Sequence, residues 1–549
     1  IKGWIMKTIY VNQVGYKNNK EKKAYLNFEG KSVSLVDETG KTVYEGVANK
    51  CIKDDISGEE ISVFDFSDVT KAGKYKVNSD VVESVSFQIS ENVNDKLLKD
   101  LCKCYYYLRC GVDLEEKYAG AYVHGKCHTK KAKVYGEDQE VDVTGGWHDA
   151  GDYGRYATAG AVAIAHLLYA FKLYPILKTL SFDIPKDNKY PDLLTEVKVE
   201  LDFLMKLQRK DGGVYHKVTT MRHADFIMPE EDTNDLFLFP VSSLATADVA
   251  AVLALGYTVY KEYDKEYALK LINASLKSYE WLAKNKEAVL FKNPEESNTG
   301  EYGESEDFSN RFWAACSLFE ATGEDKYYKE ALKQKDNLIT YDKSESNKNY
   351  IGNIFSCFGW MDVAGLGALS IILSDKENEL KTFLKEEMLK EAKRLEAVSL
   401  ENGFSLCMDK KDFIWGSNME LGKYLMVLLV SFNITKDKKY LSLVRDGLNY
   451  LLGCNTMNVS FVTGAGEKAF KNPHLRPTAV DNVDAPWDGL VSGGPNVGLQ
   501  DERAAATIEK GTAPMKCYLD HVDCYSLNEI TIYWNSPFVF AVAGLEEAD

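Results

Sequence analysis

Two periods of apolar residues divide this chain. From about Lys7 to Gln88, short runs rich in β-branched and aromatic residues ("TIYVNQVGY", "KAYLNF", "SVSLVDETG", "TVYEGVA", "ISVFDFS", "GKYKVNS", "VSFQIS") alternate with turn-forming Gly, Asp and Asn. Strand-length runs punctuated in this way predict a small antiparallel β-sandwich. Beyond "ENVNDKLLKD" the apolar positions recur at helical spacing. Twelve segments predict helices, near residues 94–110, 157–174, 190–209, 243–262, 264–284, 307–322, 325–340, 361–374, 378–397, 418–434, 437–452 and 526–544. Helices of similar length, joined by loops that are alternately short and long, suit six helical hairpins set in a ring. The long loops then gather on one face, where a rigid scaffold presents functional residues.

Length agrees with this division, because 549 residues exceed what one hydrophobic core usually supports. The expected units are a β-sandwich over 6–90 and an all-α unit over 94–549. A net charge of −17 and a sequence pI near 5.2 argue against nucleic acid and against an anionic membrane surface as partners. The apolar run "AVAIAHLLYAF" at 161–171 is far shorter than the ~20 residues of a membrane span. The opening residues show no hydrophobic signal core; if Met6 is the natural start, Ile1–Ile5 are an addition. Eleven scattered cysteines are unlike a secreted disulfide framework and point to a reducing, cytoplasmic setting. A secreted chain whose leader has been removed reads the same way.

Candidate chemistry concentrates in the long loops. "TGGWHDAGDYGRY" (144–156) places Asp149 and Asp152 three positions apart among glycines. Alone, such a pair is more often a helix cap or a solvated turn. Just upstream, Cys110, Cys127, His128 and His148 form a Cys2His2 set suited to a tetrahedral structural zinc. Their gaps are longer than those of zinc fingers, so ordinary buried cysteines are the competing reading.

Six motifs in order, "IYVNQVGY", "GGWHDAGDYGRY", "FGWMDVAGLG", "NPHLRP", "SGGPN" and "YSLNEITIYWNSP", resemble glycoside hydrolase family 9, the cellulase family. The resemblance covers nearly the whole chain and is closest to the branch with an N-terminal immunoglobulin-like domain before an (α/α)6 barrel. It implies inverting hydrolysis, in which one carboxylate deprotonates water and a carboxylic acid across the bond protonates the leaving oxygen. Asp152 is implied as the base, Asp149 as the holder of the water and Glu529 as the acid. His474 and Arg476 match the sugar-binding His-x-Arg, for which a surface ion pair is the plainer alternative. Trp360 and Trp147 are candidate stacking platforms or core aromatics, and Tyr525 a further substrate contact beside Glu529. The branch also implies zinc on Cys110, Cys127, His128 and His148, with His148 tethering the catalytic loop. Calcium is common in the family, but no ligands for it are assigned.

Two departures stand out. Leu475 lies between His474 and Arg476 where many relatives carry an acidic residue or histidine, and Ser309-Asn310 replaces a usual Asp-Glu pair, which is expected to reshape one rim of the cleft. The expected substrate is a β-1,4-glucan, with short soluble oligosaccharides favoured over crystalline cellulose. An exo-β-glucosaminidase acting on chitosan oligomers is the alternative, in which the acidic residues of "RHADFIMPEEDTNDL" pair with a glucosaminyl ammonium. A histidine-dependent helical-barrel epimerase and a non-catalytic sugar-binding protein are the readings from other classes.

Overall fold

The computed structural model describes residues 6–341 and 353–549; the expectation about Ile1–Ile5 lies outside them. The N-terminal part is a strand sandwich. Its strands are β1 (Ile9–Tyr10), β2 (Gly15–Tyr16), β3 (Lys23–Leu26), β4 (Val33–Asp37), β5 (Thr42–Gly46), β6 (Ile52–Asp54), β7 (Glu59–Asp65), β8 (Gly73–Ser79) and β9 (Phe87–Ile89). They form two sheets, ordered β1-β3-β7-β6 and β2-β9-β8-β4-β5. All ladders are antiparallel except β2 with β9, which run parallel. Period-two alternation sends Ile9, Ala24, Leu26, Phe64, Val77 and Phe87 into the space between the sheets. The opposite face of the first sheet is also buried: Tyr10, Tyr25 and Ile61 join the hydrophobic core of the helical part.

Among the described residues twelve long helices follow: α1 (Asp95–Tyr107), α2 (Ala157–Leu173), α3 (Asp192–Lys206), α4 (Ser243–Tyr260), α5 (Lys265–Lys284), α6 (Phe308–Thr322), α7 (Asp325–Thr340), α8 (Ala364–Leu373), α9 (Glu379–Ser399), α10 (Ser417–Thr435), α11 (Lys439–Leu451) and α12 (Ile532–Ala548). Each lies where the helical period predicts one, although α12 begins six residues late. Helices α2, α4, α6, α8, α10 and α12 are apolar around nearly their whole circumference and form the inner layer. In the outer layer, helices such as α3, α5 and α7 bury one stripe each. Among the described inner-layer helices, α4 is long and apolar enough to cross a membrane by composition, but 89% of it is buried, as suits the inner wall of a barrel.

Local chemistry sets several boundaries. Ser242, Asp264 and Thr531 cap α4, α5 and α12 by accepting from the backbone N–H three residues on. The Thr531 cap explains the late start of α12: the chain first makes a short turn at Tyr525–Asn528, leaves helical geometry at Glu529, and re-enters a helix three residues later, at Ile532. That interruption places Glu529 at the mouth of the barrel rather than within its wall.

Candidate active site

The loop carrying Asp149 and Asp152 is tied down from three sides. His148 N–H donates to Leu108 O at the end of α1 (2.8 Å), Asp149 O accepts from Ile532 N–H at the start of α12 (2.8 Å), and Asp149 N–H donates to Gly154 O (3.0 Å). Gly146 has φ +80°, and a Cβ there would lie 2.6 Å from the Phe203 ring. At Gly151 a Cβ would meet His474 O at 2.3 Å, so only glycine lets the two segments touch.

Within this loop the aspartates differ sharply. Asp149 is buried; Tyr302 Oη donates to its Oδ2 at 2.6 Å, while Oδ1 is buried without a protein partner. Burial and the charge of Asp152 raise its proton affinity well above the usual carboxylate range, with Tyr302 opposing. At Asp152, Oδ2 accepts from Gly154 N–H (3.0 Å) and Tyr156 Oη (2.9 Å) and faces His223 Nδ1 (3.4 Å). Burial would raise this carboxyl too, but the hydrogen bond and charge of His223, with Arg476 and Tyr156, hold it below the usual range.

Glu529 opens on the same cleft. Burial first, and then the charge of Asp152, push its carboxyl up to about 8, against the opposing effects of Arg476, the Gly151 N–H and Trp415. The cleft has a volume of about 630 Å³, the scale of a site for a short oligosaccharide. Asp149, Asp152 and Glu529 line it together with the rings of Tyr156, Tyr302, Trp360, Trp415, Tyr533 and Trp534. Trp415 is 40% exposed and so presents a ring to solvent. Such faces suit the apolar side of a pyranose, while the carboxylates suit its hydroxyls.

Other expected residues stand differently. Trp147 is not a stacking platform: it is fully buried, its indole N–H donates to Glu196 Oε1 (2.9 Å), and its ring packs 4.7 Å from that of Tyr105. It is a core residue supporting the loop from beneath, whereas Trp360 does line the cleft. His474, Arg476 and Tyr525 flank the cleft without forming its wall. Arg476 Nε donates to Ala224 O at 2.8 Å and Nη1 to Gly151 O, which clamps two loops and replaces the surface ion pair. His474 Nδ1 donates to Val522 O (2.6 Å), leaving Nε2 as an acceptor on the neutral ring. Tyr525 packs against Trp415 (5.3 Å) and His474 (5.8 Å).

Ser309 and Asn310 are both fully buried in α6, where Asn310 donates to Asp248 (2.9 Å), and neither side chain itself lines the cleft. Of "RHADFIMPEEDTNDL", only His223 lines the cleft, so its acidic residues do not meet a substrate there. Sequence reasoning missed Tyr156, His223, Tyr302 and Trp415. Tyr302 carried one local signal, its place in the glycine-flanked "GEYGE", and its φ is +47°.

Next to the loop, Cys110, Cys127, His128 and His148 converge. All four are buried, and their ligand atoms lie within 4.8 Å of one another, a group that could hold a metal ion. Cys127 Sγ and His148 Nε2 are 3.8 Å apart. His128 Nε2 faces Asp232 Oδ2 at 3.3 Å, while its Nδ1 is buried with no protein partner.

Comparison with known proteins agrees with this geometry. Residues 95–542 match the glycosyl hydrolase family 9 model, and residues 6–84 match the cellulase N-terminal ig-like domain. A cellodextrinase of Butyrivibrio fibrisolvens is 59% identical over 547 residues, covering 99% of this chain and 100% of the relative. The solved structure of AaCel9A in complex with cellobiose-like isofagomine superposes with a TM-score of 0.91 at 33% identity, covering 98% of this chain and 100% of that one. A Zn-binding triple mutant of the family 9 endoglucanase J30 gives 0.89 at 30% identity, covering 97% and 100%. Two sheets leading into a ring of helices, with Asp149, Asp152 and Glu529 in an aromatic cleft at the mouth, are thus the frame of a glycoside hydrolase, and the chain belongs to glycosyl hydrolase family 9.

Proposed function

We propose that this enzyme hydrolyses β-1,4-glucosidic bonds of short cello-oligosaccharides with inversion, using Asp152 as general base, Asp149 to hold the attacking water and Glu529 as general acid. The carrying observation is that one cleft drives its carboxyls in opposite directions, Asp152 toward the ionised form and Glu529 toward the protonated form up to about 8. Opposed environments of this kind are how acid and base roles are divided at neutral pH. The buried Oδ1 of Asp149, without a protein partner, is a ready acceptor for a water proton. One O–H of that water is hydrogen-bonded to Asp149 and stays on the product, Asp152 takes the other proton as the oxygen attacks the anomeric carbon, and Glu529 delivers its proton to the departing glycosidic oxygen. Trp360 and Trp415 supply stacking faces, and His474 Nε2 an acceptor for a hydroxyl. The Butyrivibrio cellodextrinase supports soluble oligosaccharides as the substrates.

The Cys110, Cys127, His128 and His148 cluster reads as a structural zinc site. A tetrahedral zinc with bonds of ~2.3 Å to sulfur and ~2.0 Å to nitrogen has ligand–ligand edges of about 3.3–3.8 Å. The Cys127–His148 spacing of 3.8 Å fits, and the buried His128 Nδ1, which makes no hydrogen bond, would serve as a ligand atom while Asp232 fixes the other ring nitrogen. When bound, the ion supplies a cross-link rather than chemistry, and His148 transmits that rigidity to Asp149.

A cello-oligosaccharide panel with anomer-resolved NMR tests the reaction. The expected first product is the α-anomer, and Asp152→Asn and Glu529→Gln each lower turnover by three or more orders of magnitude, as an order-of-magnitude expectation, while still binding oligosaccharide. Near wild-type turnover in either variant overturns the assignment. Preferential cleavage of chitosan oligomers would replace the substrate and leave the carboxylate roles standing.

A further inference from the structure

Lys217 is a fully buried lysine that the cleft chemistry leaves without a task. It opens the strand Lys217–Thr219, which pairs antiparallel with Arg155–Tyr156 so that Lys217 lies directly opposite Tyr156. Its Nζ donates to Asn293 Oδ1 (2.7 Å), Thr299 Oγ1 (2.9 Å) and Gly300 O (2.7 Å). All three acceptors are neutral. The rings of Phe239, Phe291 and Tyr156 surround the nitrogen at 4.5, 5.5 and 5.7 Å. An ammonium in such a place is expensive, because neutral acceptors return only part of the hydration it loses. An apolar side chain would serve the fold at lower cost.

The contacts of Lys217 converge on the neighbours of Asp152. Gly300 is held at both ends of its peptide geometry: its carbonyl accepts from Lys217, and its N–H donates to Tyr156 Oη at 3.1 Å. With that oxygen already accepting, the Tyr156 O–H is directed onto Asp152 Oδ2 at 2.9 Å. We propose that Lys217 is a positioning residue for catalysis: it fixes Gly300 and Tyr156 so that the Tyr156 hydroxyl holds Asp152 in its ionised, water-facing state. This inference rests on the reading of Asp152 as the base.

Charge adds to position. Burial pushes Lys217 down to about 7, opposed by the charges of Asp152 and Glu301, so the ammonium is present through the acidic range. Lys217 is faced by Tyr156, Asp152 and Glu301, and adjoins His216. Asp152 is faced by Asp149, Glu529, His223, His474, Arg476, Tyr156 and Lys217. Loss of the ammonium removes a favourable charge from the Asp152 carboxylate. The acid limb of kcat/KM then moves to higher pH, on the order of half a unit, because direct contact at 4–6 Å gives 1–3.

The test is the kinetics of Lys217→Met, Tyr156→Phe, their double variant, Thr299→Val and Asp152→Asn on cellotetraose, with melting curves to verify folding. Lys217→Met should lower kcat about 10- to 100-fold with KM changed less than about twofold, the scale of a small misplacement of a reacting group. Its acid limb should rise, and the double variant should be no worse than the poorer single one, as for two residues acting through one contact. Thr299→Val, which removes one acceptor at nearly constant volume, should move the limb in the same direction by less, and decides the matter if Lys217→Met fails to fold. A wild-type acid limb in the folded lysine or threonine variant, with Asp152→Asn inactive, overturns the role of Lys217 and leaves the base assignment intact. An active Asp152→Asn overturns both.

Discussion

A carboxyl held at about 8 in the folded enzyme has consequences for rate and stability that run in opposite directions. In the proposed role of general acid Glu529 must be protonated, so kcat/KM should be sustained below about pH 8 and fall as pH rises through that value. For folding, the raised value means that the native state binds a proton which the unfolded chain, near its ordinary 4.5, releases. The native state therefore loses stability as pH rises from 4.5 toward 8. Glu529→Gln abolishes this cost by removing the titration. We expect the variant to be nearly inactive and yet more stable than wild type at pH 7–8 by ~1–3 kcal/mol, and so to melt higher there, with the gain vanishing near pH 4.5. Melting curves across pH measure it directly; an equal or lower melting temperature at every pH would mean that Glu529 is not destabilised in the cleft. Asp149 is under the same pressure, from burial and from Asp152, which makes the pair, rather than either residue alone, the unit that titrates.

At the scale of elements, what was legible in the sequence is what a single segment decides for itself. Twelve helices could be read because each buries a stripe or a whole circumference, and the 3.6-residue period records that locally. The strands of the sandwich were legible for the same reason. Whether a loop tryptophan faces the core or the cleft is decided by which segments meet there, and no local period reports it. Trp147 and Trp415 illustrate the difference: one lies beneath the catalytic loop bonded to Glu196, the other is 40% exposed at its mouth. Asp149, Asp152 and Glu529 were located through motifs, and the Cys2His2 set by its residue types, whereas Tyr156, Tyr302 and His223 reach the carboxylates only through tertiary folding. A metal held by that set would tie the end of α1 (Cys110) to the 127–128 segment and to the loop of Asp149 and Asp152 (His148), elements that also share backbone bonds such as Cys110 N to Gly146 O. We expect about one zinc per chain by elemental analysis. Stripping it with a strong chelator, or Cys110→Ser, should lower the melting temperature before activity is lost at 25 °C, because the cluster braces the loop and does not touch substrate. Retention of metal in the Cys110→Ser/His148→Ala double variant would overturn the ligand set.

Across the whole molecule, the sandwich behaves as part of the barrel's own packing. Its first sheet is apolar on both faces: Ala24 and Leu26 point into the sandwich, and Tyr25 between them points into the barrel core beside Phe404, with ring centroids 5.1 Å apart. Polar links frame this contact, with Asn12 donating to Asn449 (3.0 Å), Gln13 N–H to Leu452 O (2.9 Å) and Lys23 paired with Asp446 (3.0 Å). Inter-domain contacts that are mostly polar allow independent motion, but a continuous apolar core couples the folding of both sides. The two parts should therefore unfold in one transition, visible as coincident curves by tryptophan fluorescence, which reports only barrel residues among those described, and far-ultraviolet circular dichroism. Tyr25→Ala removes a fully buried ring at the junction and should cost ~3–5 kcal/mol, the scale of a large aromatic deletion from a core. Because Tyr25 touches none of the cleft residues, kcat and KM well below the melting temperature should stay near wild type. Two separated transitions in the wild-type protein would show that the sandwich is an appended module, and the shared core would then have to be too weak to couple the halves despite burying aromatic rings from both.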